Sequence, residues 1–131
     1  MAVRLSSGPG RALTAVYAVF ALAASARAGL QLATKYSDAP VAYLLSALAA
    51  AVYVVATLGL LRDRRAVALS AVLVELVGVL VVGTLSYADS SAFPDQTVWS
   101  GYGSGYGYIP LVLPALGLLW LRRSAREEVA G

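Results

Sequence analysis

Glu75 is the residue of this sequence best placed to do chemistry. It lies in the run of residues 66–86, which carries no other charge and is long enough to cross most of a lipid bilayer. A carboxyl group at that depth can take up and release a proton or bind a cation, so an intramembrane acid is a functional candidate. The alternative is a protonated acid that hydrogen-bonds to Tyr53 or to a backbone carbonyl and only fixes helix packing. The sequence leaves both interpretations of Glu75 open.

Three more polar residues are predicted to accompany Glu75 within the apolar part of the chain. Reflecting the second apolar run about the turn that starts at Arg62 places Tyr53 at nearly the depth of Glu75, so the Tyr53 hydroxyl is the predicted partner. Arg27 and Gln31 share one face of the first run. Arg27 lies about 9 Å further out, from where it either pairs with Glu75, directly or through water, or extends outward to the headgroups.

Other kinds of chemistry are excluded by composition. The chain has no cysteine and no histidine, which removes disulfides, thiolate nucleophiles, zinc triads and ordinary haem ligation. One buried acid without a nucleophile, metal ligands or a cofactor motif does not make an enzyme site. We therefore predict a protein that is not an enzyme, with no catalytic residue, metal site or cofactor. The net charge of +3 is too small and too scattered to indicate binding to nucleic acid.

Transmembrane helices are the elements predicted to position Glu75. Of the 131 residues, 60% are hydrophobic and 13% are charged, which is typical of a membrane protein. The apolar runs predict a single transmembrane domain, residues 1–131, with spans at about residues 12–34, 39–61, 66–86 and 102–121. The last clean run, 108–121, is short for a span, so the preceding uncharged segment of glycines and tyrosines is expected to complete the span by entering the outer headgroup region ahead of the helix. The predicted fold is all-α, an antiparallel up-down four-helix bundle.

Two connections and the distribution of arginines orient the predicted bundle. A short cytoplasmic turn at 62–65 joins the second and third helices, and a longer outer loop at about 87–100 joins the third and fourth. Eight of the ten basic residues fall on the side of the short turn, which predicts cytoplasmic termini at both ends and a plasma or inner membrane location. Residues 1–11 are predicted to be a disordered lead-in. In an alternative interpretation, residues 1–26 are a cleaved signal peptide.

Helical periodicity assigns two faces to the third span. One stripe combines Glu75 with small residues and valines, namely Ala68, Ala71, Val79 and Val82. The opposite face carries Leu69, Leu73, Leu76 and Leu80. Small residues let helices approach closely, so the Glu75 stripe is predicted to face the bundle and the leucines to face lipid.

The last third of the chain adds prolines and aromatic residues to this description. Pro110 and Pro114 are spaced by four, so each removes an amide hydrogen bond of the fourth helix and a kink is predicted there. Aromatic residues collect near the predicted membrane surfaces, where their rings commonly lie at headgroup level. The predicted interface anchors are Trp99, Tyr102, Tyr106, Tyr108 and Trp120.

Two families resemble this chain. A four-span chain of this size with one buried glutamate is similar to the small multidrug resistance transporters, although in that family the acid lies on the first span and here it is Glu75 on the third. The last 40 or so residues resemble small uncharacterised four-span integral membrane proteins that are common in actinobacteria. That likeness rests on Phe93-Pro94-Asp95, Thr97-Val98-Trp99, Gly105-Tyr106-Gly107 and the run Pro110 to Arg122. It implies a location and an architecture, and no activity.

The function that follows is an expectation with an alternative. We expect a non-enzymatic membrane protein that serves as an accessory or assembly partner of a larger membrane complex. Its partners would be the lipid bilayer and other membrane-protein subunits or further copies of itself. The alternative is a small proton-coupled transporter that uses Glu75 with Tyr53 and Arg27.

Overall fold

Helices make up the regular structure of this chain. The structure, a computed structural model, describes residues 4–34, 40–88 and 99–130, with the side chains of 31, 32, 34, 40–43, 105 and 126–130 excepted. Within these ranges there are four α-helices and no strand: α1 (Pro9–Thr34), α2 (Pro40–Leu61), α3 (Arg65–Ala88) and α4 (Ile109–Ala130). A 3-10 segment, Ser100–Tyr106, precedes α4 and is called the glycine–tyrosine turn below. The prediction of an all-α chain is confirmed.

The helices pack in chain order as an up-down bundle. α1 packs chiefly on α2, α2 on α3, and α3 on both α4 and the glycine–tyrosine turn, whereas contact between α1 and α4 is sparse. The α2–α3 connection is tight: a Cβ added at Gly59 would lie 2.7 Å from the backbone nitrogen of Ala68. The bundle is therefore well closed on three sides and more open between its first and last helices.

Three of the helices are long and apolar enough to cross a membrane. They contain the stretches Pro9–Leu30, Leu44–Leu61 and Arg65–Ala88. Their predicted limits agree with the structure to within three residues, and α1 and α2 each begin at a proline, as expected because the first helical position needs no amide donor. The chain thus has the helices of a membrane protein.

The fourth helix begins at Ile109, close to the start of the apolar run at 108, and continues to Ala130, beyond the end of the predicted span at 121. The glycine–tyrosine turn lies ahead of this helix and is not part of it, because Gly101, Tyr102 and Gly103 have left-handed φ angles of 58°, 59° and 84°. Glycine adopts that conformation at little cost, so the glycines fold this segment into a compact turn.

Only one of the two prolines lies in the interior of a helix. Pro114 lies inside α4. Pro110 is the second residue of that helix, where the Tyr108 carbonyl accepts the first bonds from the amides of Leu111 and Val112. A proline in the first helical turn removes no hydrogen bond that the helix would otherwise make. The prediction that Pro110 contributes to a kink is therefore wrong.

The inward face of α3 is the predicted one. Glu75 is 0% exposed, and the small residues and valines of its stripe are buried with it: Ala68, Ala71, Val79 and Val82. On the opposite face Leu69, Leu73 and Leu80 are 39–45% exposed. The helical period alone placed this carboxyl inside the bundle.

The end of the bundle that holds the α2–α3 turn, called the inner end below, is tied together by the N-terminal segment. Leu5 is fully buried there; its amide donates to Asp63 Oδ1 at 2.8 Å, and its carbonyl accepts from Trp120 Nε1 at 2.9 Å. Nearby, Arg65 Nη1 donates to the Leu121 carbonyl and to Ser124 Oγ. The prediction of a disordered lead-in is wrong at Leu5, because both of its backbone groups have partners on other elements.

Candidate functional site

Glu75 is held from the opposite side of the bundle by Tyr17. The Tyr17 hydroxyl, on α1, donates to Glu75 Oε1 at 2.5 Å, and both side chains are fully buried. Gly117 of α4 lies beside this bond, since a Cβ built on it would come within 3.3 Å of the Tyr17 hydroxyl. The contact therefore joins α1 and α3, with α4 against it.

The second oxygen of Glu75 has a different environment. Oε2 is buried and has no hydrogen-bond partner among the described residues. A buried polar atom without a partner is costly, and a buried unpaired charge far more so. Oε2 is therefore the atom of this site to which a proton or a further donor would add.

Tyr53, the predicted partner of Glu75, takes another role. Its hydroxyl accepts from Trp99 Nε1 at 3.1 Å. Its ring centroid lies 6.1 Å from that of Tyr17 and 5.5 Å from that of Phe20. Tyr53 thus contacts Tyr17, which in turn bonds to the carboxyl of Glu75. The prediction that Tyr53 is the hydrogen-bond partner of Glu75 is wrong, because that partner is Tyr17.

A group of aromatic rings in mutual contact includes Tyr17, which bonds to Glu75, and Tyr106, which bonds to Arg27. We call it the aromatic cluster; its members are Tyr17, Phe20, Tyr53, Trp99 and Tyr106, with neighbouring centroids 5.5–6.4 Å apart. Aromatic pairs at such distances stabilise a core beyond their buried area. This packing fixes the Tyr17 ring and therefore the direction of its hydroxyl.

Arg27 lies at the far side of the aromatic cluster. Its Nη1 donates to the Tyr106 hydroxyl at 2.7 Å. The described residues show no ion pair between Arg27 and Glu75, so of the two alternatives for Arg27 the direct pair is wrong, while an outward position stays a prediction. The Gln31 side chain, the fourth member of the predicted cluster, lies outside the described residues.

The two tryptophans predicted as interface anchors are core residues. Trp99 is 1% exposed and covers α3 at Gly78, where an added Cβ would lie 2.5 Å from its ring. Trp120 is 6% exposed and uses its indole amide to hold Leu5. In each case a small residue or a backbone carbonyl of another segment contacts the indole, and the position of the two rings relative to a membrane surface stays a prediction.

The tyrosines predicted as anchors divide between the interior and the surface. Tyr106 accepts a hydrogen bond from Arg27, and its ring centroid lies 5.8 Å from that of Phe20 with the two planes tilted by 58°. Tyr102 is half-buried, lies against Gly83, and shares a hydrogen bond of 2.8 Å with Thr84 Oγ1. Tyr108 is 49% exposed, and its position at the membrane surface stays a prediction.

Tyr17 is the site residue that the sequence prediction missed. It lies eight residues after the first residue of α1, and Glu75 lies ten after the first residue of α3. Because both helices run in the same direction from the inner end, the two side chains differ in depth by only about 3 Å. Starting the first span at Ala12, and not at the helix-favouring Pro9, hid this match.

Comparison with known proteins found no matching family model, no matching curated protein and no matching solved structure. The likeness to actinobacterial four-span proteins therefore stays a prediction.

The chemistry available to the described residues is limited. They contain no group of three or more acidic, histidine or cysteine side chains able to hold a metal ion. What the site offers is one carboxyl, one phenol bonded to it, and an enclosing set of rings. Such an arrangement can hold a proton or join helices.

Proposed function

We propose that this chain is a non-enzymatic integral membrane protein that acts as an accessory or assembly partner of a larger membrane complex. In this proposal it crosses the cell membrane four times with both termini in the cytoplasm. The distribution of positive charge supports that orientation, because exposed arginines gather toward the inner end: Arg4, Arg11, Arg62, Arg64, Arg122 and Arg123.

A fourth crossing is compatible with the short apolar part of α4. Residues 109–121 cover about 20 Å as a helix. The glycine–tyrosine turn packs on α3 and α4 and would occupy the remaining depth. Non-helical backbone is tolerated at membrane depth where protein covers it, and Gly101 and Gly103 are buried.

The proposal rests on one contrast. Glu75 is enclosed within the bundle, whereas the apolar space that could receive another molecule is a groove on the surface of the bundle. Glu75 is 0% exposed. By contrast, a groove of about 400 Å³ opens on the outer surface between α2 and α3, with Leu48 and Leu73 on its walls and Trp99 among its lining residues. We call it the α2–α3 groove. The lining residues that the structure describes are all uncharged, which suits van der Waals packing against another transmembrane helix.

Copurification from native membranes in mild detergent tests this function. The tagged wild-type protein is expected to bring a membrane protein in stoichiometric amount, and Val77→Trp, which fills the α2–α3 groove, is expected to lose it. Val19→Trp is the matched control, because Val19 and Val77 are 62% and 61% exposed and Val19 does not line that groove. Retention of the partner by both variants, or recovery of a single species with no partner, would contradict the proposal.

A second candidate function is proton-coupled transport, and the unpartnered Oε2 of Glu75 is the observation that favours it. In that case the purified protein is expected to be a homo-oligomer that releases protons when a transported solute is added. Glu75→Gln would abolish the release while preserving the fold, because the amide oxygen still accepts from Tyr17. Proton release that is unchanged in Glu75→Gln would exclude Glu75 as the coupling group.

A further inference from the structure

Because α1 and α4 make few contacts with each other, a second groove opens between them on the surface of the bundle. It has a volume of about 550 Å³, and we call it the α1–α4 groove. Ala12 and Val16 lie on its α1 wall, and Val112 and Leu116 lie on its α4 wall. Its lining is apolar except at one end, so it is not a site for a polar solute.

The length of the α1–α4 groove matches one leaflet of a bilayer. Its α4 wall runs from Ile109 to Arg123, which is about 21 Å along a helix axis. A bilayer with its headgroups is about 40–45 Å thick, so one leaflet is about 20–22 Å. A chain of that length lying in the groove would reach from the inner headgroups to the bilayer centre.

The charge of the groove is confined to its inner end. Among the described residues that line it, Arg123 alone carries a charge. A guanidinium has five N–H donors arranged to bind phosphate oxygens, so Arg123 can bind a phosphate in addition to contacts within the chain. Trp120, one helical turn away, lines the same end. The described residues that line the α2–α3 groove include none with a charge, so the two grooves differ in this respect.

We propose that the α1–α4 groove binds an anionic phospholipid of the inner leaflet, with one acyl chain along α4 and the phosphate at Arg123. The exposed arginines of the inner end attract anionic lipids to this surface. A transmembrane helix would not use the positive charge at the groove's end, which is why lipid is the favoured occupant. This inference does not depend on the partner proposed for the α2–α3 groove.

Lipid binding to the purified full chain tests the proposal. Native mass spectrometry and unfolding temperature in mild detergent would be measured with phosphatidylglycerol and with phosphatidylcholine of the same acyl chains. Phosphatidylglycerol is expected to bind more tightly and to raise the unfolding temperature more. Arg123→Gln is expected to weaken its binding about fivefold, the equivalent of about 1 kcal/mol. Arg122→Gln, an exposed neighbour that does not line the groove, is the control and should change it little.

Steric variants test the acyl-chain part separately. Ala12→Trp is expected to reduce binding of both lipids, whereas Ala15→Trp, exposed on the same helix outside the groove, should not. Val112→Trp, at a lining position that is 49% exposed, provides a second blocking variant if Ala12→Trp does not fold. Three outcomes would each overturn the proposal. They are equal effects of Arg122→Gln and Arg123→Gln, equal binding of the two lipids, and loss of a copurified protein, in place of lipid, when the groove is blocked.

Discussion

Tyr17 and Glu75, 58 residues apart in the chain, are joined by a hydrogen bond that links α1 to α3 through the interior of the bundle. No other described residue bonds to this carboxyl. The bond therefore gives a direct way to separate a packing role of Glu75 from a chemical one.

Removing the Tyr17 hydroxyl is expected to destabilise the protein. Tyr17→Phe keeps the ring in place and leaves the carboxyl without its donor, which should lower the free energy of unfolding by about 1–2 kcal/mol. Glu75→Gln should have a smaller effect, because it retains an acceptor. Unfolding in detergent provides the measurement, with Tyr108→Phe on the exposed side as control. A loss in Tyr17→Phe no larger than in that control would show that the bond contributes little.

Adding one methyl group at Gly78 should disturb the core. Its Cβ would lie 2.5 Å and 2.7 Å from two carbons of the Trp99 ring, and overpacking of this kind typically costs about 1–3 kcal/mol. Gly29→Ala adds the same methyl group within α1, where nothing lies within 4 Å. The unfolding temperature is expected to fall for Gly78→Ala and not for Gly29→Ala. Equal changes would mean that the Trp99 ring does not pack against Gly78 of α3.

Contact between Leu5 and Asp63 should protect the N-terminal segment from protease. Asp63 has a φ of 56°, so Asp63→Gly relieves the backbone while removing the acceptor, and Asp63→Asn keeps an acceptor in a residue that tolerates this conformation. Trypsin cleavage after Arg4 is expected to be faster in Asp63→Gly than in wild type or Asp63→Asn. Identical cleavage rates would indicate that the side chain of Asp63 does not hold Leu5.

The proposed orientation can be tested with single cysteines, since the chain has none of its own. Ser7→Cys and Arg64→Cys lie at exposed positions of the inner end, and Ser104→Cys is exposed on the glycine–tyrosine turn. An impermeant thiol reagent added to intact cells should label Ser104→Cys and leave the other two unlabelled until the membrane is opened. Labelling of Arg64→Cys from outside would reverse the orientation.

We expect α1 to be retained in the protein, against the alternative in which residues 1–26 are cleaved as a signal peptide. Tyr17 is the donor to Glu75, and Leu5 binds both Asp63 and Trp120, so removal of residues 1–26 would leave several buried groups without partners. The intact mass of the protein isolated from membranes should include these residues. A mass that begins after Ala26 would mean that the bundle forms without them.

The parts of the fold that follow from local pattern could be predicted from the sequence. The limits of α1 to α3 depend on apolar runs ended by charge or proline, and the burial of Glu75 depends on helical period. Predicting the bond between Tyr17 and Glu75 requires the residue at which α1 begins, because an error of three residues shifts a side chain by nearly one helical turn. The burial of Trp99 depends on its contact with Gly78 of α3, and hydrophobicity carries no information about such a long-range contact.

The glycine–tyrosine turn shows a further limit. Its composition predicts a segment at the membrane surface ahead of the helix, but not that three consecutive residues, Gly101 to Gly103, adopt left-handed φ angles. Tyr102 adopts this conformation although it is not glycine, and its contacts with Gly83 and Thr84 help to hold it there.

The bond between Leu5 and Trp120 spans 115 positions of the chain, and this separation has a consequence for biosynthesis. Leu5 is synthesised 115 residues before Trp120, so its carbonyl stays without this partner until that part of α4 has been made. The bond that fastens the N-terminal segment to α4 can therefore form only after α1, α2 and α3 have been synthesised.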